Sequence, residues 1–319
     1  MILASGHRVL HFERIDSTNA EARRLAETGE PGPLWLLADE QTSGRGRLGR
    51  NWVSPPGNLY ATFLFALSAG LEVAAQVSFV AALAVHDAIA ALKPGVDCSI
   101  KWPNDVLIGG AKVSGILAEV VGSAPTRIAI GCGVNVAHVP KGTPYPVTFL
   151  DSSIHQSSSF VRHPSPFFRH PSESWGPASS AVPALDAEKK LPQARPTTSA
   201  SKQLDPDFRQ GDGKEDTEFT PAKIAAIRID LLLQELDRSL SYRLKIWDEG
   251  RGFDVIREGW LARAFGVGDQ VTSADTTGTF TSIAADGALV MMLANGTTKP
   301  IHSGEVRFAK LEALRSQDA

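Results

Sequence analysis

The sequence predicts an α+β protein with a small all-β part near its C-terminus. Strand-like and helix-like segments alternate over residues 1–150, the composition changes over 151–216, and short strand-like runs follow Trp260. A chain of 319 residues is long enough for one large domain and a smaller one. We therefore expect a large domain over 1–262 and a small one over 263–319.

The first 150 residues carry the helix and strand signals of the larger domain. A Ser/Thr/Asn cap followed by good helix formers predicts a helix over 17–27. A long alanine-rich run predicts a helix over 73–92 that is buried on most faces. Apolar runs and a Gly-Gly turn predict strands at 34–38, at 59–67, as a pair within 106–121, and at 127–136.

Residues 152–216 differ in composition from the rest of the chain. Proline, serine and charge dominate, and apolar periodicity is lost, which predicts a disordered insertion that buries too little apolar surface to offset chain entropy. A helix is predicted again over 220–247, with Thr220 as its cap and Pro221 at its first position. The strand-like runs beyond it, with a hairpin signal at 285–287, predict a small β-barrel or sandwich.

Composition and charge exclude several classes of protein. The net charge is −3, so bulk electrostatics does not favour nucleic-acid binding. Cys98 and Cys132 form no CxxC pair and the eight histidines form no HExxH motif, so no metal cluster is predicted. The first residues have the pattern of neither a signal peptide nor a membrane span. We therefore expect a cytoplasmic protein.

A glycine- and arginine-rich stretch, "QTSGRGRLGRNW", runs from Gln41 to Trp52 without any acidic residue. Glycine lets a backbone approach a ligand closely, and a guanidinium offers a planar fork to phosphate or carboxylate. We interpret the stretch as an anion-binding loop. A solvated surface loop and a nucleic-acid contact are the alternatives, and no wider basic patch supports the second.

A second stretch, "KWPND" with a downstream "KVSGILAE", combines two lysines with an amide and a carboxylate. Pro103 interrupts regular structure, so the side chains of Lys101, Asn104 and Asp105 are expected to converge at a strand end. Lys112 follows the predicted hairpin turn, beside small residues that leave room for a ligand. The alternative is a surface hairpin with two solvated lysines.

Two further stretches are weaker on their own. In "GCGVN", Gly131 and Gly133 would permit packing against a flat ligand, and Asn135 carries both a donor and an acceptor for a purine edge. A tight turn is the alternative. In "DSTN", the first helical turn would present free N–H groups and hydroxyls to a ligand, and simple helix capping is the alternative.

Taken in order, D-S-T-N, Q-T-S-G-R-G-R-x-G-R-x-W, K-W-P-N-D, K-x-x-G-I-L-x-E and G-x-G-x-N resemble the motifs of the biotin protein ligases. The resemblance is specific over 7–150 and weaker over 220–310, and the 152–216 segment departs from it. Because the first motif begins at Asp16, the sequence resembles the monofunctional class of these enzymes, which has no DNA-binding domain. The resemblance implies a class II synthetase-like catalytic domain, a mixed sheet flanked by helices, followed by an SH3-like β-barrel.

The resemblance implies an ATP-dependent ligase that works in two steps. Biotin attacks the α-phosphate of Mg-ATP to give biotinyl-5′-adenylate, and a lysine of a biotin carboxyl carrier protein then takes the biotinyl group. ATP, Mg²⁺ and biotin are the implied ligands. The implied partner is the carrier protein of acetyl-CoA carboxylase or of a related enzyme. Neither nucleic acid nor a membrane is an implied partner. The protein would be a monomer or homodimer. A lipoate or octanoate ligase and a non-catalytic biotin- or nucleotide-binding regulator are the alternatives.

The resemblance also implies residue roles. Lys112, Arg47, Lys101 and Asp105 would be catalytic, with Lys112 on the biotin carboxylate and Asp105 a candidate Mg²⁺ ligand. The implied biotin-binding residues are Ser17, Thr18, Asn19, Gln41, Gly44, Arg45, Gly46, Arg47 and Lys112. The implied ATP-binding residues are Arg50, Trp52, Lys101, Asn104, Asp105, Gly131, Gly133 and Asn135. The glycine-arginine loop would close over the ligands.

Overall fold

The computed structural model describes residues 1–123, 125–150 and 221–317. The predicted insertion at 152–216 lies outside the described residues. All described residues belong to one compact unit. This unit contains a seven-stranded sheet and a five-stranded sheet.

The seven-stranded sheet is mixed, as predicted. In chain order its strands are β1 (Arg8–Ile15), β2 (Leu34–Gln41), β3 (Leu59–Ala66), β4 (Cys98–Lys101), β5 (Asp105–Ile108), β6 (Ala111–Ser123) and β7 (Thr126–Val134). In space they are ordered β1-β2-β3-β7-β6-β5-β4. The β1–β2 pair is parallel and the other neighbours are antiparallel. The strands predicted from the apolar runs and the Gly-Gly turn are confirmed.

Helices flank both faces of this sheet. The helices in chain order are α1 (Thr18–Glu27), α2 (Val77–Leu92), α3 (Pro221–Trp247), α4 (Phe253–Leu261) and α5 (Ala309–Gln317). Helix α5 packs against the five-stranded sheet instead. Helix α1 packs against β2, β3, β6 and β7, whereas α2 packs against β4 to β7 and against α3 and α4. The helices predicted over 17–27 and 220–247 are confirmed, and the one predicted over 73–92 begins with a 3₁₀ turn at Leu71–Gln76.

Strand β2 shows how the sequence builds this layered core. Trp35 and Leu37 belong to the hydrophobic core between the sheet and α2. Leu34 and Leu36 belong to a second core between the sheet and α1. All four are buried, because successive side chains of a strand face opposite sides and helices cover both.

The segment Leu71–Leu92 is long and apolar enough to cross a membrane by length and composition alone. In this structure, 61% of its most apolar window is buried inside the protein. Its apolar character is therefore accounted for by packing in the core, as the sequence predicted.

The five-stranded sheet is antiparallel and contains the predicted C-terminal strands. They are β8 (Gln270–Ser273), β9 (Thr276–Ile283), β10 (Leu289–Met292), β11 (Thr298–Ile301) and β12 (Val306–Phe308), ordered β11-β10-β9-β8-β12. The hairpin signal at 285–287 joins β9 to β10, and Gly287 supplies the positive φ of 87° that the turn needs. The SH3-like topology stays a prediction.

Strand β4 is hydrogen-bonded to the chain between α4 and β8. The backbone N–H of Ile100 donates to the carbonyl of Arg263 at 2.8 Å, and the N–H of Phe265 donates back to the carbonyl of Ile100 at 2.8 Å. The indole of Trp102, which is buried, donates to the carbonyl of Gly287 at 3.1 Å. The "KWPND" motif therefore begins at a point fixed by the C-terminal part of the chain.

Candidate active site

A cavity opens where α1, the loop after β2 and the strands β5 to β7 meet. The space between its walls, open solvent at the mouth included, is about 1030 Å³. Fifteen of the predicted site residues line it: Ser17, Thr18, Asn19, Gln41, Arg45, Gly46, Arg47, Arg50, Trp52, Lys101, Asn104, Asp105, Lys112, Gly131 and Gly133. The structure therefore brings all five motifs to one place.

The start of α1 forms a buried polar wall. The Oε1 atom of Gln41 accepts hydrogen bonds from the backbone N–H and the hydroxyl of Thr18, at 2.9 and 3.1 Å. Thr62 Oγ1 lies 2.7 Å from both Thr18 Oγ1 and Asn19 Oδ1, and Asn19 Nδ2 donates to Glu119 Oε2 at 2.7 Å. The wall presents hydroxyl and amide groups in fixed orientations, which suits a ligand ring that both donates and accepts hydrogen bonds.

The glycine-arginine loop has a defined conformation despite its glycine content. The N–H of Trp52 donates to the carbonyl of Gly44 at 2.9 Å, and that of Gly46 donates to the carbonyl of Arg50 at 2.7 Å. A 3₁₀ turn at Arg47–Gly49 forms the tip. The stretch is thus a short hairpin over the cavity, although its composition suggested an irregular loop.

Each arginine of the loop reaches a different part of the protein. Arg45 faces Glu119 of β6 at 3.7 Å, Arg47 donates to Asn104 Oδ1 at 3.3 Å, and Arg50 pairs with Glu305 at 3.0 Å. Burial lowers the pKa of the Arg47 guanidinium, the most enclosed of the three. The loop is therefore held over the cavity by polar side chains that an anionic ligand can replace.

The "KWPND" motif turns sharply between β4 and β5, as predicted from Pro103. Lys101 and Asp105 lie directly opposite each other in the register of these strands. Asn104 holds the turn against β6, since its side-chain amide donates to the carbonyl of Ile116. Lys101 is largely enclosed and lies 5.3 Å from the ring centre of Phe308, and burial lowers its pKa.

Lys112 and Asp105 form an ion pair inside the cavity, with Nζ and Oδ1 2.7 Å apart. Lys101 and Arg47 line the same region, so three cations surround a single carboxylate. Such a site carries excess positive charge where the motifs meet. It can attract two anions and reduce their mutual repulsion.

Trp52 lies on the sheet over two glycines. A Cβ atom added at Gly133 would lie 2.6 Å from the Trp52 ring, and one added at Gly115 would lie 2.9 Å from it. The absent side chains therefore create the space for this ring. The indole Nε1 is buried and has no hydrogen-bond partner within the described part of the chain, which leaves a donor for a ligand.

Gly44 and Asn135 are the two predicted site residues outside the residues that line this cavity. Gly44 fits tightly inside the loop, because a Cβ there would lie 2.4 Å from the carbonyl oxygen of Trp52. Asn135 is buried, donates from Nδ2 to the carbonyl of Thr148 at 3.0 Å, and lines a neighbouring second cavity. Their contacts with biotin and nucleotide stay predictions.

Several residues of the cavity wall were not predicted as site residues, and two of them carry polar side chains from outside the five motifs and reach predicted site residues. Tyr145 comes from the segment after β7, and Glu305 comes from the turn before β12. Neither lies in a stretch with a distinctive residue pattern. The only indication of Glu305 in the sequence was indirect. The glycine-arginine loop is positively charged, so it needs an acidic partner when it lies against the protein.

A resident metal centre is absent from the described ranges, in which no three His, Cys, Asp or Glu side chains cluster. Asp105 is a carboxylate in the middle of the cavity. One carboxylate is typical of a site where Mg²⁺ arrives with the phosphates of a nucleotide.

Residues 11–135 match the model of the Biotin/lipoate A/B protein ligase family. The match includes every motif that lines the cavity up to β7.

Individual relatives agree with this family. The chain is 53% identical over 130 residues to a biotin--[acetyl-CoA-carboxylase] ligase of Paracoccus denitrificans, covering 40% of this chain and 54% of that protein. It is 37% identical over 149 residues to the enzyme of the same name from Mycobacterium tuberculosis, covering 43% and 53%. The chain thus spans about half the length of the curated relatives it matches.

The fold extends beyond the aligned sequence. A biotin protein ligase from Aquifex aeolicus, solved with biotin and ATP, superimposes with a TM-score of 0.60 over 94% of this chain and 99% of its own, at 23% identity. The likeness covers both sheets and confirms the predicted fold class.

Proposed function

We propose that the protein is an ATP-dependent biotin ligase that attaches biotin to a lysine of a biotin carboxyl carrier protein. The observation that carries this proposal is the convergence of Lys112, Lys101 and Arg47 around Asp105, beside the polar wall at the start of α1. A charged end for phosphate and carboxylate and a hydrogen-bonding end for a polar ring fit the two halves of a biotinyl-adenylate. The named relatives support the same activity.

In the first step, an oxygen of the biotin carboxylate attacks the α-phosphorus of Mg-ATP, and the bond to the pyrophosphate oxygen breaks. Lys112 exchanges Asp105 for the biotin carboxylate and then for the acyl-phosphate oxygens. Arg47 lies along the same anion, and Lys101 and Asp105 serve the phosphates and Mg²⁺. A fixed cation at this place stabilises the developing charge by about 2.7–4 kcal/mol, by analogy with oxyanion sites.

In the second step, the amine of the acceptor lysine attacks the biotinyl carbonyl, an amide bond forms, and AMP leaves with the electrons of the broken mixed anhydride bond. The glycine-arginine loop covers the adenylate until the acceptor arrives, which protects it from hydrolysis. Ser17, Thr18, Asn19, Gln41 and the loop backbone from Gly44 to Gly46 contact the biotin ring system. Arg50, Trp52, Asn104, Gly131, Gly133 and Asn135 surround the nucleotide, with Trp52 over the base.

The proposal includes the setting of the enzyme. We infer a cytoplasmic protein, a monomer or homodimer, that works without nucleic acid or membrane. Cys98 and Cys132 are free thiols whose pKa burial raises to about 12, which fits a reducing compartment. We also propose a catalytic domain over 1–262, interrupted at 152–216, and a small domain over 263–319.

Intact mass spectrometry of an acceptor domain tests this function. The domain is incubated with enzyme and Mg-ATP, and with either biotin or lipoate. A mass gain of one biotinyl group with biotin alone is the expected result. A gain only with lipoate would instead identify a lipoate ligase. No gain with either, despite tight binding of biotin, would identify a regulator without turnover.

A further inference from the structure

The ammonium group of Lys112 lies against two aromatic rings. Its Nζ atom is 5.4 Å from the ring centre of Trp52 and 5.3 Å from that of Tyr145. The Lys112 side chain is only 15% exposed. The ring face of an aromatic side chain attracts a cation, and the attraction grows when water is excluded. The rings and Asp105 together determine where this ammonium lies.

Tyr145 reaches Lys112 because its segment is hydrogen-bonded to Lys112 itself. The backbone N–H of Lys112 donates to the carbonyl of Pro146 at 2.9 Å, and the N–H of Thr148 donates to the carbonyl of Lys112 at 2.9 Å. This short parallel bridge at Val147 fixes the segment two residues beyond Tyr145. The backbone that carries the ring is therefore held beside Lys112, although Tyr145 itself is 36% exposed.

Asn135 fixes the far end of the same segment. Its Nδ2 donates to the carbonyl of Thr148 at 3.0 Å, and its own carbonyl accepts from the N–H of Leu150 at 3.0 Å. Asn135 and Leu150 are both buried. Asn135 therefore forms hydrogen bonds with two backbone groups of this segment. Two such bonds from a buried residue keep the segment in one register.

We propose that Tyr145 is a positioning residue for Lys112. Asn135 contributes indirectly, because it fixes the segment that carries Tyr145. The ring confines the ammonium without neutralising it, because an aromatic face attracts a cation but supplies no competing negative charge. When a carboxylate enters, Lys112 changes its anionic partner while it keeps its place between the rings. This role rests on the proposed function, in which Lys112 binds the biotin carboxylate.

A ring series at position 145 tests the proposal in the full-length protein. Pyrophosphate release is followed in a single turnover with saturating biotin and Mg-ATP. Tyr145→Phe keeps the ring face and should stay within about twofold of wild type, whereas Tyr145→Leu should release pyrophosphate roughly tenfold more slowly. Asn135→Ala should change the rate in the same direction, and because Asn135 is also placed near the nucleotide, the labelling of Lys112 in the ligand-free protein described below separates the two roles. Phe149→Leu is the matched control, because Phe149 is an exposed ring on the same segment.

A fluorine series separates charge attraction from ring shape. Mono-, di- and trifluorinated phenylalanine at position 145 keep the shape of the ring and progressively weaken its negative face. The single-turnover rate should fall stepwise with each fluorine, with little change in the KM for ATP. Equal rates along the series would overturn the proposal, as would a change confined to KM.

A readout without biotin distinguishes failure of this proposal from failure of the proposed function. Acetic anhydride labelling of Lys112 in the ligand-free protein, measured by mass spectrometry, should be faster in Tyr145→Leu than in wild type and Tyr145→Phe. If wild type transfers no biotin, the proposed function fails while the labelling still reports on the ring. Identical labelling in all three proteins would refute the positioning role.

Discussion

Two ion pairs of similar burial, one joining α3 to α2 and the other joining β6 to β5, have different roles. Arg243 and Asp87 have side chains 11% and 14% exposed, and Lys112 and Asp105 are 15% and 20% exposed. Arg243 donates to Asp87 through both Nε and Nη2, at 2.9 and 2.6 Å, so the pair is rigid. Lys112 meets Asp105 at one point beside an open cavity. A forked pair maintains structure, whereas a single-point pair can exchange its partner for a ligand.

The surroundings of the two carboxylates strengthen this contrast. Asp87 also faces Arg263 at 3.7 Å and His86 at 3.4 Å. Burial acts to raise the pKa of Asp87, but the hydrogen bond with His86 and the two arginines outweigh it, so the pKa lies below its ordinary value. Its partners are all protein groups, while Asp105 lines the open cavity.

The largest effect is expected from breaking the structural pair. Asp87→Ala leaves Arg243 buried without a carboxylate and should lower the free energy of unfolding by about 3–5 kcal/mol, measured by urea denaturation. The matched control is Arg251→Ala, which removes the exposed pair with Asp248 at a position with ordinary helical backbone angles and should leave the midpoint unchanged. Equal shifts for both variants would contradict the distinction.

The same pair should show a defined pH dependence. Because the pKa of Asp87 is lower in the folded state than its unfolded value of about 3.9, its stabilisation is present above that value and is lost as the pH falls through the folded pKa. The stability difference between wild type and Asp87→Asn should therefore be constant near neutral pH and shrink below about pH 4.

Breaking the pair in the cavity should affect chemistry rather than folding. Lys112→Ala should slow adenylate formation by about 10²–10³-fold, measured as single-turnover pyrophosphate release. Asp105 can then be hydrated from the cavity, so the unfolding midpoint should shift less than in Asp87→Ala. Lys299→Ala, on the exposed strand β11, serves as the control. Near-normal release from folded Lys112→Ala would show that this lysine has no catalytic role.

A smaller effect is expected when the loop is loosened. Arg47→Gly removes the side chain that joins the loop to Asn104, so the adenylate should escape before it meets the acceptor. The expected result is biotin on lysines of unrelated proteins, detected by mass spectrometry, while adenylate still forms. Complete loss of activity, or unchanged selectivity, would mean that Arg47 does not close the site.

Lys101 offers a test of charge in the cavity through pH. Burial lowers its pKa, so it loses its proton at a lower pH than an ordinary lysine, whose value is about 10.4. The rate of adenylate formation should therefore begin to fall below that pH. Lys101→Arg keeps its charge, and its rate should stay flat over the same range. An identical alkaline limb in both proteins would assign the titration to another group.

The smallest effect is expected at the exposed pair of Arg50 with Glu305, whose side chains are 56% and 65% exposed. Glu305→Gln should change the free energy of unfolding by less than about 1 kcal/mol. The difference should disappear in high salt, since exposed charges are screened. A large, salt-independent loss in urea denaturation would show that this contact acts like the buried pair at Asp87.

The sequence predicted the local parts of this molecule well and the distant contacts poorly. Each motif is a run of neighbouring residues whose chemistry is visible without a fold, and fifteen of the proposed site residues line one cavity. Strand β1 was missed because its faces alternate between exposed and half-buried residues and give little apolar signal. The partner of Arg50 was missed because Glu305 lies 255 residues further along the chain.

Asn135 shows a different limit of sequence reasoning. Its donor and acceptor groups predict a purine contact, yet in this structure they hold the backbone at Thr148 and Leu150. The residue type indicates hydrogen bonding but cannot indicate the partner, because that depends on which segment folds back beside β7. The same holds for Tyr145, whose contact with Lys112 arises from that returning segment.

The hydrogen bonds that Ile100 and Trp102 form with the C-terminal part of the chain have a consequence for synthesis. The ribosome completes all five motifs by Asn135, but Phe265, Gly287 and Glu305, which support or line the cavity, are translated later. At about 5–20 residues per second, a nascent chain carries the whole set of motif residues for roughly ten to thirty seconds before its last wall residue exists. Over that interval the residues of β4 lack the C-terminal hydrogen-bond partners that they have in the folded protein, so we expect a chaperone to bind this segment.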